Sequence, residues 1–227
     1  MEEIFVIVAK APIEGFAKTR LAKEVGDKAA IDLYKAFMKD FFSALGEKFP
    51  GKKKRLFITP STDEHMTFFE ELSKSTDCPF DTIENQGEGS LFERLKNIFK
   101  KIHADSPAFI HLTGTDIPDF PFDVISSPID ENSITVGPDF DGGYYYIGAK
   151  SDCDFIFDLS GAKSEEVFEK TAEQIKKNGR DYVVAKTWSD IDCLDDFYET
   201  INRDRLEQLQ NTRKVARTIP QIDIPSF

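Results

Sequence analysis

The chain has 227 residues, 40% of them hydrophobic and 31% charged, with 21 Phe and a net charge of −12. That length and composition predict one folded domain with a sizeable core rather than a disordered chain, and a surface so acidic repels DNA, RNA and anionic lipid. The N-terminal run MEEIFVIVAK lacks the positive n-region and long apolar stretch of a signal peptide; no segment has the length of a membrane span; and the scattered cysteines Cys78, Cys153 and Cys193 fit neither a disulfide framework nor a zinc site, so the expectation is a cytoplasmic protein with no nucleic-acid or membrane partner.

In chain order, Ile4 to Ala9 is an uninterrupted apolar run rich in β-branched residues, the pattern of a strand buried on both faces of a parallel sheet. A loop with Pro12 and Gly15 follows. Ala30, Tyr34, Phe37, Met38, Phe41 and Leu45 then recur at helical spacing, with Gly46 as the expected stop. The basic run Lys52 to Arg55 reads as a solvated turn, leading into a strand over Arg55 to Thr59 that Pro60 closes. Thr62 or Asp63 caps a helix carrying Met66, Phe69 and Leu72, and Ser90 with Glu93 forms a capping box ahead of Leu91, Leu95, Ile98, Phe99 and Ile102. Phe109 to Leu112 is another buried strand; Ser133 to Val136 and Tyr144 to Ile147 are two more, joined through a turn at Gly142 and Gly143. Ser164 starts a helix running to Asn178 and Gly179, Tyr182 to Ala185 is a final strand, and Leu194 to Leu209 a final helix. The tail from Asn211 to Phe227 lacks periodicity and is expected as an added strand or a flexible end. This alternation predicts a mainly parallel sheet with helices on both faces, which binds ligands beyond the carboxyl ends of its strands.

Four strings place unusual residues at those ends. In Ala9-Lys10-Ala11-Pro12-Ile13-Glu14-Gly15-Phe16-Ala17-Lys18-Thr19-Arg20-Leu21, the small residues Ala9, Ala11 and Gly15 allow close backbone approach, and Lys18 and Arg20 are either phosphate-binding cations or solvated loop residues. In Thr113-Gly114-Thr115-Asp116-Ile117-Pro118, Asp116 follows a buried strand and is either a carboxylate for Mg²⁺ or a helix cap. In Gly137-Pro138-Asp139-Phe140-Asp141-Gly142-Gly143-Tyr144, the glycines make a tight turn that also frees backbone N–H groups for a ligand, with Asp139 and Asp141 as second-choice metal carboxylates. In Asp190-Ile191-Asp192 and the following Asp195 and Asp196, the acids either complement a helix dipole or return Asp192 to the metal beside Asp116. No Walker A loop, G-x-G-x-x-G after the first strand, or G-x-S-x-G elbow is present.

In order and spacing, these four strings resemble one family: the nucleotide-diphospho-sugar transferase-like proteins of DUF2064, often labelled glycosyltransferase. The first resembles its A-K-A-P-x-x-G-x-x-K-T-R-L opening, Gly114 to Pro118 its G-T-D-x-P segment, Gly137 to Tyr144 its G-P-x-x-D-G-G-Y segment, and Asp190 to Asp196 its D-x-D-x-x-x-D ending, so the likeness spans Ile4 to Phe197. The chain is also similar to guanylyltransferases acting on phospholactate and on molybdenum cofactor. The resemblance implies a GT-A fold, a Rossmann-like α/β sheet in one domain over 1–210. Its nucleotide-binding half is expected at about 1–120 and its acceptor half at about 121–210, with a tail over 211–227. It implies that Lys18 and Arg20 meet the phosphates, that Asp116 and Asp192 bind Mg²⁺ (or Mn²⁺), and that Gly142, Gly143 and Tyr144 border the acceptor pocket. Two departures stand out: Phe92, where the family has Gly before Glu93-Arg94, and Gly161 to Ser164, where it has a Trp-Ser-Thr-like segment.

The function expected on these grounds is transfer of a glycosyl group from a nucleotide-sugar to a small acceptor, the reading the family label favours. Nucleotidyl transfer from a triphosphate to a phosphorylated or carboxylated acceptor, releasing pyrophosphate, is the alternative that Lys18, Arg20 and the single G-T-D-x-P carboxylate favour. Nucleotide binding without catalysis is a third. No residue stands out as a general base; Asp141 is the candidate if one is needed.

Overall fold

A computed structural model of the protein describes residues 1–126, 134–204 and 208–224. The run from Ile4 to Ala9 lies inside β1 (Glu2–Lys10), which pairs in parallel with β2 (Lys53–Thr59) on one side and β4 (Ala108–Thr113) on the other. With β3 (Thr82–Asn85), β5 (Ile134–Pro138), β6 (Tyr144–Lys150) and β7 (Tyr182–Val184), these form a seven-stranded sheet of order β3-β2-β1-β4-β6-β5-β7. Within it, β6 is antiparallel to both β4 and β5, and the other pairings are parallel. The architecture is therefore the mixed α/β sheet expected from the alternation, with one reversed strand in its second half.

Period-two alternation in β1 sends Phe5 and Ile7 to one face and Ile4 and Val6 to the other, and each face has its own core. The first core gathers α1 (Thr19–Val25), α2 (Asp27–Lys48), α3 (Asp63–Ser75), the short α5 (Asp123–Ser126), α7 (Leu194–Arg203) and α8 (Gln210–Ala216). The second is built by α4 (Leu91–Asp105) and α6 (Val167–Lys177). Most of the Phe content is consumed here: Phe37, Phe41 and Phe42 of α2 are fully buried, and Phe41 meets Phe120 edge-on at 5.9 Å. Each such side chain contributes about 1.5–3 kcal/mol of burial. Among the described residues no helix is long and apolar enough to cross a membrane.

The helix starts read from sequence hold where the cap chemistry is explicit. Thr62 caps α3, and Ser90 with Glu93 forms the capping box of α4. Other expectations are corrected. Gly46 does not stop α2, which runs to Lys48; a Cβ on Gly46 would sit 2.5 Å from the Asp77 carbonyl oxygen, so glycine is needed for the close crossing of that chain. Lys54 is not solvated but 1% exposed, its Nζ donating to the carbonyls of Phe49 at 2.8 Å and Lys52 at 3.1 Å beyond the end of α2. The final helix ends at Arg203, because Asp204 turns to pair with Arg213 and to accept the N–H groups of Gln208 and Leu209. The tail is neither strand nor loose over its described part. It forms α8, whose first N–H groups, from Asn211 and Thr212, are capped by the buried Asp40 of α2, and Ile219, Ile222 and Ile224 join the first core. Short α1 and β3 were not expected from sequence. Ser133, expected at the start of a strand, lies outside the described residues.

His111 is the satisfied core histidine that its place within a strand implies: 2% exposed, with Nδ1 2.7 Å from the Tyr146 hydroxyl. Burial pushes its pKa down to about 4 from 6.5. The unfolded chain therefore binds one more proton than the folded chain between those values, so the His111 contribution to stability is complete above pH 6.5 and is lost as the pH falls to 4. At about 1.4 kcal/mol per pH unit, the loss approaches roughly 3 kcal/mol. Urea unfolding at pH 7 and pH 5 is expected to show the wild type losing stability relative to His111→Asn, which keeps a partner for Tyr146 and shares every other titrating group; an equal change in both proteins would place the acid sensitivity elsewhere.

Candidate active site

The loop after β1 leaves the sheet with Ala11 N–H on the Thr59 carbonyl at 2.8 Å and reaches α1 through Lys18, whose φ of 48° lies in the left-handed region. That conformation is uncommon for a residue with a side chain. The Lys18 side chain, 5% exposed, places Nζ 2.8 Å from Asp116 Oδ2 and 3.1 Å from Asp192 Oδ1. Arg20 stays exposed, with Nη1 3.1 Å from Asp192 Oδ2 and 3.7 Å from Asp141 Oδ2.

Asp116 stands in the loop after β4, as a strand-end carboxylate rather than a helix cap. The Ile191 N–H donates to its carbonyl at 3.1 Å, which stitches the segment before α7 to this loop. Carboxylate oxygens of Asp116, Asp190 and Asp192 consequently lie within 4.8 Å of one another. In the sequence, Asp190 is marked only as part of a helix-start acid run. Asp196 does serve that start, accepting the N–H groups of Asp192 and Cys193 at 2.9 and 2.8 Å. The electrostatics follow from crowding. Burial opposes the Lys18 ammonium, but Asp116, Asp192 and Asp190 outweigh it and raise its pKa; burial likewise opposes the Asp116 charge, which Lys18 restores and holds below the usual carboxylate range. Asp190, which the Lys18 charge offsets only in part, is pushed up to about 8 by burial and then by Asp116, Asp192 and Asp139.

A cleft of about 400 Å³ opens at this point, floored by Ala9 and Gly114 and bordered by Lys10, Lys18, Arg20 and Arg94. Two supporting residues carry no sequence motif. Tyr34 of α2 donates its hydroxyl to the Lys10 carbonyl at 3.2 Å, contacts Thr115 Oγ1 at 2.8 Å, and sets its ring 5.9 Å from Lys18 Nζ. Gln86 spends both amide hydrogens on the Ala9 and Phe57 carbonyls, at 2.9 and 3.1 Å, which fixes its side chain at the cleft wall. Among the other residues singled out from sequence, Ala11 is fully buried and Gly15 has open space about it. Gly142 packs against Glu165, where a Cβ would meet the backbone at 2.5 Å, whereas Gly143 is open. Tyr144 lines a smaller recess of about 160 Å³ with Asp116, Asp139 and Asp190, its hydroxyl buried without a partner among the described residues. A further recess of about 380 Å³ is lined by Asp139, Phe140, Asp141, Asp190, Asp196 and Glu199.

The family described as "uncharacterized protein conserved in bacteria" (DUF2064) matches residues 45–169. No curated protein matches the sequence. Among solved structures, the chain is similar to a protein from Desulfovibrio desulfuricans G20, provisionally assigned as a nucleotide-diphospho-sugar transferase. The two share 27% identity over 99% of this chain and 100% of that one, with a TM-score of 0.79. A nucleoside-diphosphate-sugar pyrophosphorylase from Vibrio cholerae RC9 has the same fold at 10% identity, covering 87% of this chain and 99% of that one, with a TM-score of 0.53.

Burial and then the neighbouring acids oppose charge on Asp190, and Lys18 offsets this only in part. Asp190→Asn is therefore expected to raise the thermal midpoint of the chelator-treated protein. Asp116→Asn, which removes the 2.8 Å partner of a buried ammonium, is expected to lower it. Each shift should be about 2–4 °C, on the order of 1 kcal/mol for a chain of this size. Scanning calorimetry checks the opposite signs, and a fall in both variants would mean that Asp190 is a structural strut.

Proposed function

The chain belongs to the DUF2064 family, and we propose that it is a divalent-metal-dependent transferase that takes a sugar from a nucleotide-diphospho-sugar and passes it to a small neutral or cationic acceptor. The observation that carries this reading is the division of charge about Asp116 and Asp190. The cleft bordered by Lys10, Lys18, Arg20 and Arg94 suits the diphosphate of a donor, while the recess with Asp139, Asp141, Asp196 and Glu199 disfavours a phosphorylated or carboxylated acceptor. The likeness to the Desulfovibrio protein supports the same donor class.

Asp116, Asp190 and Asp192 would hold the metal. An all-oxygen set of three carboxylates within 4.8 Å suits a hard cation such as Mg²⁺ or Mn²⁺ and not zinc. The bound ion would supply charge neutralisation on the departing nucleoside diphosphate. Lys18, held at the cluster by Asp116 and Asp192 and backed by the Tyr34 ring, would donate to phosphate oxygens, with Arg20 beside it. The bond from the sugar anomeric carbon to the β-phosphate oxygen breaks with its electron pair leaving on the nucleoside diphosphate. The acceptor oxygen bonds to that carbon, and its proton passes to a carboxylate oxygen of the recess, for which Asp141 is the exposed candidate. One observation favours nucleotidyl transfer instead: four cationic side chains border a cleft of only about 400 Å³, more than a diphosphate with its metal requires.

Incubation with Mg²⁺ and a panel of nucleotide-sugars and nucleoside triphosphates is expected to release a nucleoside diphosphate. Release of pyrophosphate would replace glycosyl with nucleotidyl transfer, and binding without release would leave a non-catalytic nucleotide-binding protein. Asp116→Asn is nearly isosteric and is expected to keep the fold while Mg²⁺-dependent turnover is lost. Turnover retained in that variant would remove Asp116 from the metal site.

A further inference from the structure

Arg94 reaches the cleft from the first turn of α4. It is half-buried, and its Nε is shielded from solvent without a hydrogen-bond partner among the described residues. The other described arginines that are buried or half-buried each have a carboxylate: Arg55 has Glu84, Arg180 has Asp152, Arg203 has Asp119 and Arg213 has Asp204. Among the described residues Arg94 has none. A guanidinium keeps its charge at any working pH, and the described residues leave this one open to an anionic ligand. No structural duty at the helix end explains it either, since the N-terminus of α4 is closed by Ser90 and by Glu93, whose carboxylate accepts from the Ser90 N–H and Oγ at 2.8 Å.

Two other cations beside the aspartates are committed. Lys18 bridges Asp116 and Asp192, and Arg20 sits on Asp192 with Asp141 next to it. Lys10 is an exposed ammonium. Arg94 is the group in the cleft whose planar fork is uncommitted, and that fork matches two oxygens of one oxyanion. We propose that Arg94 seats an oxyanion of the nucleotide donor, a phosphate of its di- or triphosphate. The identity of the ligand rests on the transferase reading; the anion seat rests on the guanidinium alone.

Calorimetric titration of the full chain with inorganic pyrophosphate, with each nucleoside diphosphate in Mg²⁺, and with the nucleosides tests this. Arg94→Gln is expected to weaken pyrophosphate and the best nucleoside diphosphate by about tenfold or more. It should leave the thermal midpoint and the affinity for Mn²⁺ alone unchanged. Arg94→Lys, which keeps the charge but not the fork, should fall between the two. The proposal is overturned if Arg94→Gln binds pyrophosphate and nucleoside diphosphates as the wild type does, or if the wild type binds neither. It is also overturned if the variant loses nucleoside and nucleoside diphosphate equally, which would assign Arg94 to the base. Pyrophosphate binding through Arg94 with no turnover of any donor would sink the transferase reading and leave the anion seat standing.

Discussion

The buried Lys18 ammonium is the interaction about which this site is built. It joins a carboxylate 98 positions away, Asp116, to one 174 positions away, Asp192. Each contact takes a charge that would be costly to bury alone and pairs it, so the loop after β1, the loop after β4 and the segment before α7 are held to one geometry. The surrounding backbone is arranged to that end. Tyr34 fixes the first loop through the Lys10 carbonyl, and the Ile191 N–H fixes the last segment to Asp116. Below them β1 and β4 run side by side in parallel, which brings both loops out at the same edge.

Crowding of like charge at one end is the cost of that arrangement. Three carboxylates lie within 4.8 Å of one another beside a buried ammonium and an exposed guanidinium, and Asp190 bears the imbalance. Such local frustration marks a place where a ligand is expected. Reversal of β6 matters for the same reason: it runs antiparallel between β4 and β5, so the Asp139 to Gly143 turn that joins β5 to β6 opens at the same edge as Asp116. The recess beyond the cluster is thereby lined with acids while the cleft before it is bordered by bases.

Local chemistry carried a large part of the fold into the sequence. The apolar run Ile4 to Ala9, the capping box at Ser90 and Glu93, and the cap at Thr62 act through neighbours in the chain, and each element formed where its pattern stood. The identities of the cleft residues Lys18 and Asp116 were legible too, because a cation after the first strand and an acid after a buried strand are unusual at those positions. What neighbours in sequence do not encode was lost. Nothing local distinguishes Gly46 as a crossing point from Gly46 as a stop, Lys54 as buried from Lys54 as solvated, or α8, which Asp40 caps across 171 positions, from a loose tail.

From the sequence alone, then, came the parallel α/β class, the strand-end placement of the first loop and of Asp116, and the family, since these depend on period, propensity and motif. Tertiary structure alone decided that Asp190 joins Asp116 and Asp192, that Tyr34 and Gln86 brace the cleft, and that Arg94 is left without a partner. Whether a charge is neutralised depends on distance in space, and the chain closes those distances only when β1, β4 and the segment before α7 meet at one edge of the sheet.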